Sequence, residues 1–67
     1  MKNNFAKIIK LLRKERKLRQ IDLAERLDTT QRKVSYWEAG KVEPDIDTLW
    51  QIADLFEISV DELIGRE

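Results

Sequence analysis

QIDLAERLDTTQRKVSYWEAG, residues 20–40, is the stretch from which the fold of this chain can be predicted. Apolar residues recur at three- and four-residue spacing in 20–27 and again in 31–39, which predicts two short helices. Asp28 lies at the tight corner between them, where we expect the left-handed backbone that Asp tolerates. Gly40 is a natural stop for the second of the two helices.

The second helix of this pair has two different faces. With about 100° between successive residues, Val34 and Trp37 fall on one side and polar side chains cover the other. The polar side carries Gln31, Arg32, Ser35 and Tyr36. Because glutamine pairs with adenine and arginine with guanine in the major groove, we interpret the pair as a DNA-binding helix-turn-helix in which these four side chains read bases. The alternative interpretation is an ordinary solvated helix face.

The composition restricts what kind of protein the chain can be. Its 67 residues suffice for one domain, which we expect to span 1–67, and a chain this short buries only about 60% of its unfolded surface. It has no cysteine and no histidine, so we expect no disulfide, no metal or other cofactor and no enzymatic activity. No apolar run approaches the roughly 18 residues of a membrane span and no signal peptide is recognisable, so we expect a cytoplasmic protein without a membrane partner.

The charges are balanced in number but separated along the chain. Residues 1–19 contain eight basic residues and one acidic residue, whereas residues 42–67 contain one basic residue and eight acidic ones. This asymmetry indicates an oriented electrostatic field with a basic pole for phosphate. Solubility combined with salt bridging between the two ends explains the same pattern equally well.

Three further helices complete an all-α prediction. The first runs from residue 4 to about 16 and has Asn3 or Asn4 as its cap. Another begins after Pro44 with Asp45 as N-cap, and the last begins with the capping box of residues 59–62. The inward side of these helices is predicted to consist of Phe5, Ile8 or Ile9, Leu12, Ile46, Leu49, Ile52, Ala53, Phe56, Val60, Leu63 and Ile64.

The ordered set of residues across the chain resembles the lambda-repressor/Cro-type helix-turn-helix family, also called XRE. The matching residues are Leu12, Arg13, Leu18, Gln20, Leu23, Ala24, Leu27, Val34, Ser35, Trp37, Glu38, Gly40, Pro44, Thr48, Leu49, Ile52, Ala53 and residues 59–63. The resemblance implies a compact five-helix lambda-repressor-like fold with the helix-turn-helix at helices two and three. It also implies a homodimer that binds a palindromic double-stranded DNA operator and regulates transcription, with repression as the expected effect.

The same resemblance assigns roles to individual residues. It implies that Gln20 contacts a phosphate and steadies Gln31 on an adenine, and that Arg32 and Tyr36 set the sequence preference. The residues expected to contact or position the phosphate backbone are Arg19, Gln20, Thr30, Lys33 and Lys41. Thr30 is in addition a good N-cap for its helix.

Glu38 is an acid placed only about 40° from the buried centre of its helix. Such a charge needs a partner, because an unpaired buried charge is costly. The family resemblance supplies Arg13, so we predict a structural Arg13–Glu38 ion pair between helices one and three. The alternative is that Glu38 reaches water.

Three positions depart from the family pattern. Arg19 replaces the usual cap of helix two, Lys17 replaces a frequent glycine, and Asp28 replaces the glycine at the corner. Arg19 therefore either weakens the start of helix two or is free to reach a phosphate. Glu57 similarly stands where glycine or asparagine would be expected to end helix four.

A protein-binding surface is the main alternative to DNA recognition. Trp50 lies beside the inward stripe of helix four, where we expect it to be partly buried against the last helix, with a dimer contact as the less favoured role. By resemblance, Ile58, Val60, Leu63 and Ile64 are further candidate dimer contacts, although burial in the core explains most of them better. The alternative function is a regulatory module that binds a protein partner, such as an antitoxin or an anti-repressor partner.

Overall fold

Five α-helices follow one another in the computed structural model, which describes residues 4–65. They are α1 (Phe5–Glu15), α2 (Gln20–Arg26), α3 (Gln31–Glu38), α4 (Ile46–Phe56) and α5 (Val60–Ile64). No strand occurs in this part of the chain, so the predicted all-α architecture is confirmed, with the helix-turn-helix at α2 and α3. Asn4 occupies the N-cap position of α1, but its side chain makes no capping hydrogen bond, and the alternative cap Asn3 lies outside the described residues.

The helix starts follow the predicted capping residues at α3, α4 and α5. The Thr30 hydroxyl accepts the Lys33 N–H at 3.2 Å, and the Asp45 carboxylate accepts the Thr48 N–H at 2.9 Å. At α5 the Ser59 hydroxyl accepts the Glu62 N–H at 3.0 Å, while Glu62 accepts the Ser59 N–H at 2.9 Å. Each side chain satisfies a backbone donor that has no partner inside its helix.

The core forms where apolar faces of all five helices meet. Its buried members are Phe5, Ile9, Leu23, Ala24, Leu27, Val34, Trp37, Ile52, Ala53, Phe56 and Leu63. The rings of Phe5 and Trp37 pack edge to face with their centroids 6.4 Å apart, which joins α1 to α3. Because Val34 and Trp37 are buried, α3 can present only its opposite face to solvent.

Two predictions about α4 are wrong. Ile46, predicted to face inward, is 70% exposed, and Trp50, predicted to be partly buried, is 60% exposed. Ile46 lies in the first turn of α4, whereas the residues of α4 that are buried begin at Ile52. Trp50 is about 100° around the helix axis from the half-buried Leu49, which places it on the solvent side.

Among residues 4–65, three residues other than glycine have left-handed backbone conformations. The φ angles are 58° at Lys17, 56° at Asp28 and 60° at Glu57. The left-handed corner predicted at Asp28 is therefore confirmed. Lys17 and Glu57, where glycine would suit better, keep the same backbone geometry with a side chain present.

No helix within residues 4–65 combines the length and the apolar character that crossing a membrane would require.

Candidate nucleic-acid interface

The polar face of α3 is open to solvent. Gln31, Arg32 and Lys33 are exposed, Tyr36 is 39% exposed, and Ser35 is half-buried. The opposite side of the helix is anchored in the core, and the Thr30 cap holds its first turn. This geometry presents amide, guanidinium, hydroxyl and phenol groups along one side of a short rigid rod.

The predicted pair of Arg13 and Glu38 forms a bidentate ion pair behind this helix. Arg13 Nε lies 2.7 Å from Glu38 Oε2, and Arg13 Nη2 lies 3.0 Å from Oε1. A third donor, Nη1, reaches the Leu18 carbonyl oxygen at 2.8 Å. The side chain of Glu38 is only 4% exposed, so it does not reach water as the alternative proposed. The hydrogen bond to Glu38 raises the pKa of Arg13 above its usual value.

Two glutamines extend this ion pair to the surface. Gln20 Nε2 donates to Glu38 Oε1 at 3.1 Å, and Gln31 Nε2 donates to Gln20 Oε1 at 3.4 Å. The second hydrogen bond is long, and the Gln31 amide retains a second N–H and its own carbonyl oxygen. An adenine edge requires one donor and one acceptor, which these two groups can supply. The first residues of α2 and α3 are thus linked through Glu38 to α1.

A polar cleft of about 400 Å³ lies between α1 and the α2–α3 pair. Its lining residues are Lys10, Arg13, Lys14, Gln20, Ser35, Glu38 and Ala39. Lys10 and Lys14 were not predicted as site residues, although their spacing of four places them on the same face of α1. That spacing and the basic character of residues 1–19 were the signals that could have found them. The cleft brings two ammonium groups beside the polar face of α3.

Arg19 does not behave as predicted at the start of α2. Its Nε and Nη2 atoms donate to the two oxygens of Asp22 at 3.0 and 2.9 Å, and Asp22 Oδ2 also accepts the Arg19 backbone N–H at 2.8 Å. The start of α2 is therefore stabilised by Asp22 from within the helix, and the guanidinium is not free. These hydrogen bonds from Arg19 lower the pKa of Asp22 to about 2.

Basic groups also lie just after the C-terminal end of α3 and along its side that faces the loop to α4. Lys41 Nζ lies 5.9 Å from the centre of the Tyr36 ring, in the geometry of a cation–π contact. A groove of about 460 Å³ separates α3 from the loop that leads to α4. Arg32, Lys33 and Tyr36 line it on one side, and Val42 and Pro44 line it on the other. Hydrogen bonding with Thr48 lowers the pKa of Asp45, and the charge of Lys33 lowers it further.

The candidate dimer contacts are not gathered at this surface. Leu63 is fully buried in the core, while Ile58, Val60 and Ile64 are half-buried against it. Trp50 points to solvent from α4, as does Ile46 one turn earlier. These residues therefore belong to the α4–α5 part of the molecule, and the base-reading candidates belong to α3.

Comparison with known proteins identifies relatives of the same architecture. A protein-family model described as "Helix-turn-helix" matches residues 9–63. The uncharacterised HTH-type transcriptional regulator YqaE of Bacillus subtilis is 35% identical over 63 residues, which are 94% of this chain and 54% of the relative. The chain thus spans about half the length of this curated relative.

Two solved structures share the fold. A transcriptional regulator from Listeria innocua superimposes with a TM-score of 0.94 at 36% identity, covering 100% of this chain and 63% of that one. The P22 c2 repressor protein, solved in complex with a synthetic operator, has a TM-score of 0.87 at 25% identity and covers 94% of this chain and 96% of that one. Both neighbours contain the same arrangement of helices as the chain described above.

Proposed function

The chain belongs to the helix-turn-helix family, and from this membership we propose that it binds double-stranded operator DNA sequence-specifically and represses transcription. The observation that carries the proposal is the solvent-open polar face of α3 beside the basic cleft of Lys10 and Lys14. The similarity to a repressor solved with a synthetic operator supports placing α3 in the major groove. None of the relatives described above favours the alternative of a protein-binding module.

The proposed contacts divide into two classes. Gln31, Arg32, Ser35 and Tyr36 meet base edges, where each well-formed bidentate pair discriminates by about 1–3 kcal/mol. Phosphates are held by Lys10, Lys14, Arg19, Gln20, Thr30, Lys33 and Lys41, which orient the protein but do not read sequence. The Arg13–Glu38 pair belongs to neither class. It lies behind these side chains and joins α1 to α3.

Selection of bound oligonucleotides from a random duplex pool tests the proposal directly. The wild-type chain should select one sequence, and its affinity should fall steeply as salt rises. Arg32→Ala and Tyr36→Ala should change which sequence is selected, whereas Lys41→Ala should weaken all sequences alike and flatten the salt slope by about one unit. Gln31→Ala should relax selection at one adenine, and Gln51→Ala, which removes an exposed amide on α4, is its matched control.

The result that would refute base reading is an equal loss of affinity on every sequence for all of these α3 variants. A wild-type chain that selects no sequence and binds only at low salt would refute operator recognition altogether, because that behaviour describes non-specific charge attraction.

The proposal includes a homodimer on a palindromic operator. Two half-sites roughly 34–36 Å apart require a two-fold contact between protomers. Trp50 is the strongest candidate for it, because a solvent-exposed tryptophan next to an exposed isoleucine is an apolar surface of the kind found at interfaces. Ile58, Val60 and Ile64 are the half-buried candidates. Sedimentation equilibrium of Trp50→Gln should show a weaker dimer, and Leu11→Gln, which alters a similarly exposed residue on α1, should not.

The organisation of the whole protein is likewise a proposal. We propose that residues 1–67 act as one DNA-binding domain without catalytic activity, in the cytoplasm, where its operator would be accessible. The proposal of a single domain is supported by the core, because residues from all five helices contribute to one buried cluster. Limited proteolysis should leave residues 4–65 intact as one protected fragment.

A further inference from the structure

Arg19 and Asp22 make a closed contact on the surface of α2. The guanidinium presents its Nε and Nη2 edge to both carboxylate oxygens at 3.0 and 2.9 Å. The same carboxylate accepts the Arg19 backbone N–H at 2.8 Å. One side chain therefore performs two tasks, since it stabilises the start of the helix and neutralises the arginine that precedes it.

This contact uses the edge of the guanidinium that a DNA phosphate would use. Arginine binds carboxylate and phosphate through the same parallel pair of N–H donors. While Asp22 occupies that pair, Arg19 cannot offer it to a phosphate. Arg19 lies directly before Gln20, whose side chain lines the cleft with Lys10 and Lys14.

We propose that the Asp22 carboxylate is an internal competitor of the DNA backbone, which holds Arg19 in the free protein and lowers its affinity for DNA. The inference rests on the proposed function, because it concerns the phosphate contacts of the same interface. When DNA binds, a phosphate oxygen pair replaces the two Asp22 oxygens on the guanidinium.

The exchange requires little rearrangement of the protein. The Arg19 side chain is 79% exposed and that of Asp22 is 28% exposed, so the guanidinium is largely hydrated and the ion pair is weak. The bond from the Arg19 backbone N–H to Asp22 does not involve the guanidinium and survives its departure. The start of α2 therefore remains stabilised in both states, and only the arginine side chain changes partner.

Asp22→Asn is the variant that isolates this competition. The asparagine carbonyl oxygen can still accept the Arg19 backbone N–H, but the negative charge is gone. We expect DNA affinity to rise by about three- to tenfold, because the guanidinium no longer has to leave a carboxylate when it binds the phosphate. Asp54→Asn on α4 makes the same change in net charge away from α2 and should alter the affinity by less than about twofold.

A double-mutant cycle shows whether the effect passes through Arg19. In an Arg19→Gln background, Asp22→Asn should change the affinity by less than about twofold, because no guanidinium remains to be released. An equal gain in both backgrounds would overturn the inference, since it would reduce Asp22 to a general repulsive charge. Unchanged or weaker binding of Asp22→Asn in the otherwise wild-type chain would overturn it as well.

Two measurements keep this test separate from the proposed function and from folding. Wild-type binding to the selected sequence is established first, and its failure would refute DNA recognition without bearing on Asp22. Thermal unfolding and circular dichroism of each variant then verify that α2 remains folded, and affinities are compared only among variants with wild-type helical content.

Discussion

Lys17 and Glu57 occupy backbone conformations that suit glycine. Their φ angles of 58° and 60° bring Cβ close to the carbonyl oxygen, at a cost of roughly 1–2 kcal/mol for each residue with a side chain. Glycine relieves this strain but loses more entropy when the chain folds, so the gain is smaller than the strain itself. The two positions connect α1 to α2 and α4 to α5.

We therefore predict that Lys17→Gly and Glu57→Gly each raise the free energy of unfolding by about 0.5–1 kcal/mol, measured by urea denaturation. Gly40→Ala is the converse control. At Gly40 the φ angle is 74° and no atom lies within 4 Å of an added Cβ, so only backbone strain is introduced and stability should fall. Destabilisation by both glycine variants would show that the two side chains contribute contacts worth more than the strain.

The Arg13–Glu38 ion pair joins single residues of α1 and α3. Glu38 accepts from Arg13 and Gln20, so its removal leaves a nearly buried guanidinium and an amide without their acceptor. We predict that Glu38→Ala lowers the free energy of unfolding by about 3–5 kcal/mol in chemical denaturation. Asp54→Ala, at an exposed acid of α4, should change it by less than about 0.5 kcal/mol. A small effect of Glu38→Ala would mean that Arg13 finds water when its partner is lost.

At the scale of the helices, capping determines where α3 and α5 begin. Thr30 and Ser59 each accept the N–H of the residue three positions later, at 3.2 and 3.0 Å. We predict that Thr30→Ala and Ser59→Ala each lower the free energy of unfolding by about 1 kcal/mol. Only Thr30→Ala should also reduce DNA affinity beyond what the lost stability explains, because Ser59 caps α5, which packs on α1 and α4. Titration of both variants with the selected duplex shows whether DNA affinity is lost through reduced stability or through a missing DNA contact. An equal loss of DNA affinity in the two variants would contradict a phosphate role for Thr30.

Helix α4 shows where helical periodicity stops being informative. Its repeat predicted an inward face with Ile46 at one end, and Ile52, Ala53 and Phe56 are indeed buried. Periodicity gives the direction in which a side chain points from the helix axis. It does not give whether another helix lies in that direction to cover the side chain. Ile46 in the first turn and Trp50 at the margin of the face are exposed for that reason.

At the scale of the whole molecule, the basic N-terminal part lies against the helix-turn-helix. Lys10 and Lys14 of α1 share a cleft with Gln20 and Ser35, which places positive charge beside the proposed groove-reading helix. These two lysines belong to the basic residues of 1–19 from which an oriented field was predicted, and that field stays a prediction. Lys2 and Glu67, which contributed to the charge asymmetry, lie outside the described residues.

We predict that the double variant Lys10→Gln/Lys14→Gln weakens binding to all DNA sequences alike. The slope of log affinity against log salt should flatten by about two units, because two phosphate contacts are lost. Lys7→Gln is the matched control, since Lys7 is an exposed lysine of α1 outside the cleft. If Lys7→Gln, Lys10→Gln and Lys14→Gln each cause the same loss of DNA affinity, the lysines contribute only a general electrostatic attraction and the cleft has no special role.

The sequence by itself determined the five helices, their caps at Thr30, Asp45 and Ser59, and the polar face of α3. These features depend on interactions within about four residues along the chain, which periodicity and capping chemistry describe directly. The family pattern added the pairing of Arg13 with Glu38 across 25 positions.

Only the tertiary structure decided which distant side chains share a surface. The hydrogen bond from Gln20 to Glu38, the placement of Lys10 and Lys14 beside Ser35, and the exposure of Trp50 depend on how the helices pack. The closed contact of Arg19 with Asp22 is local, yet it too was not foreseen, because an acid three residues inside a helix can bind the side chain before it as well as the backbone. Helix packing fixes positions between segments far apart in the chain, and no spacing within one segment contains that information.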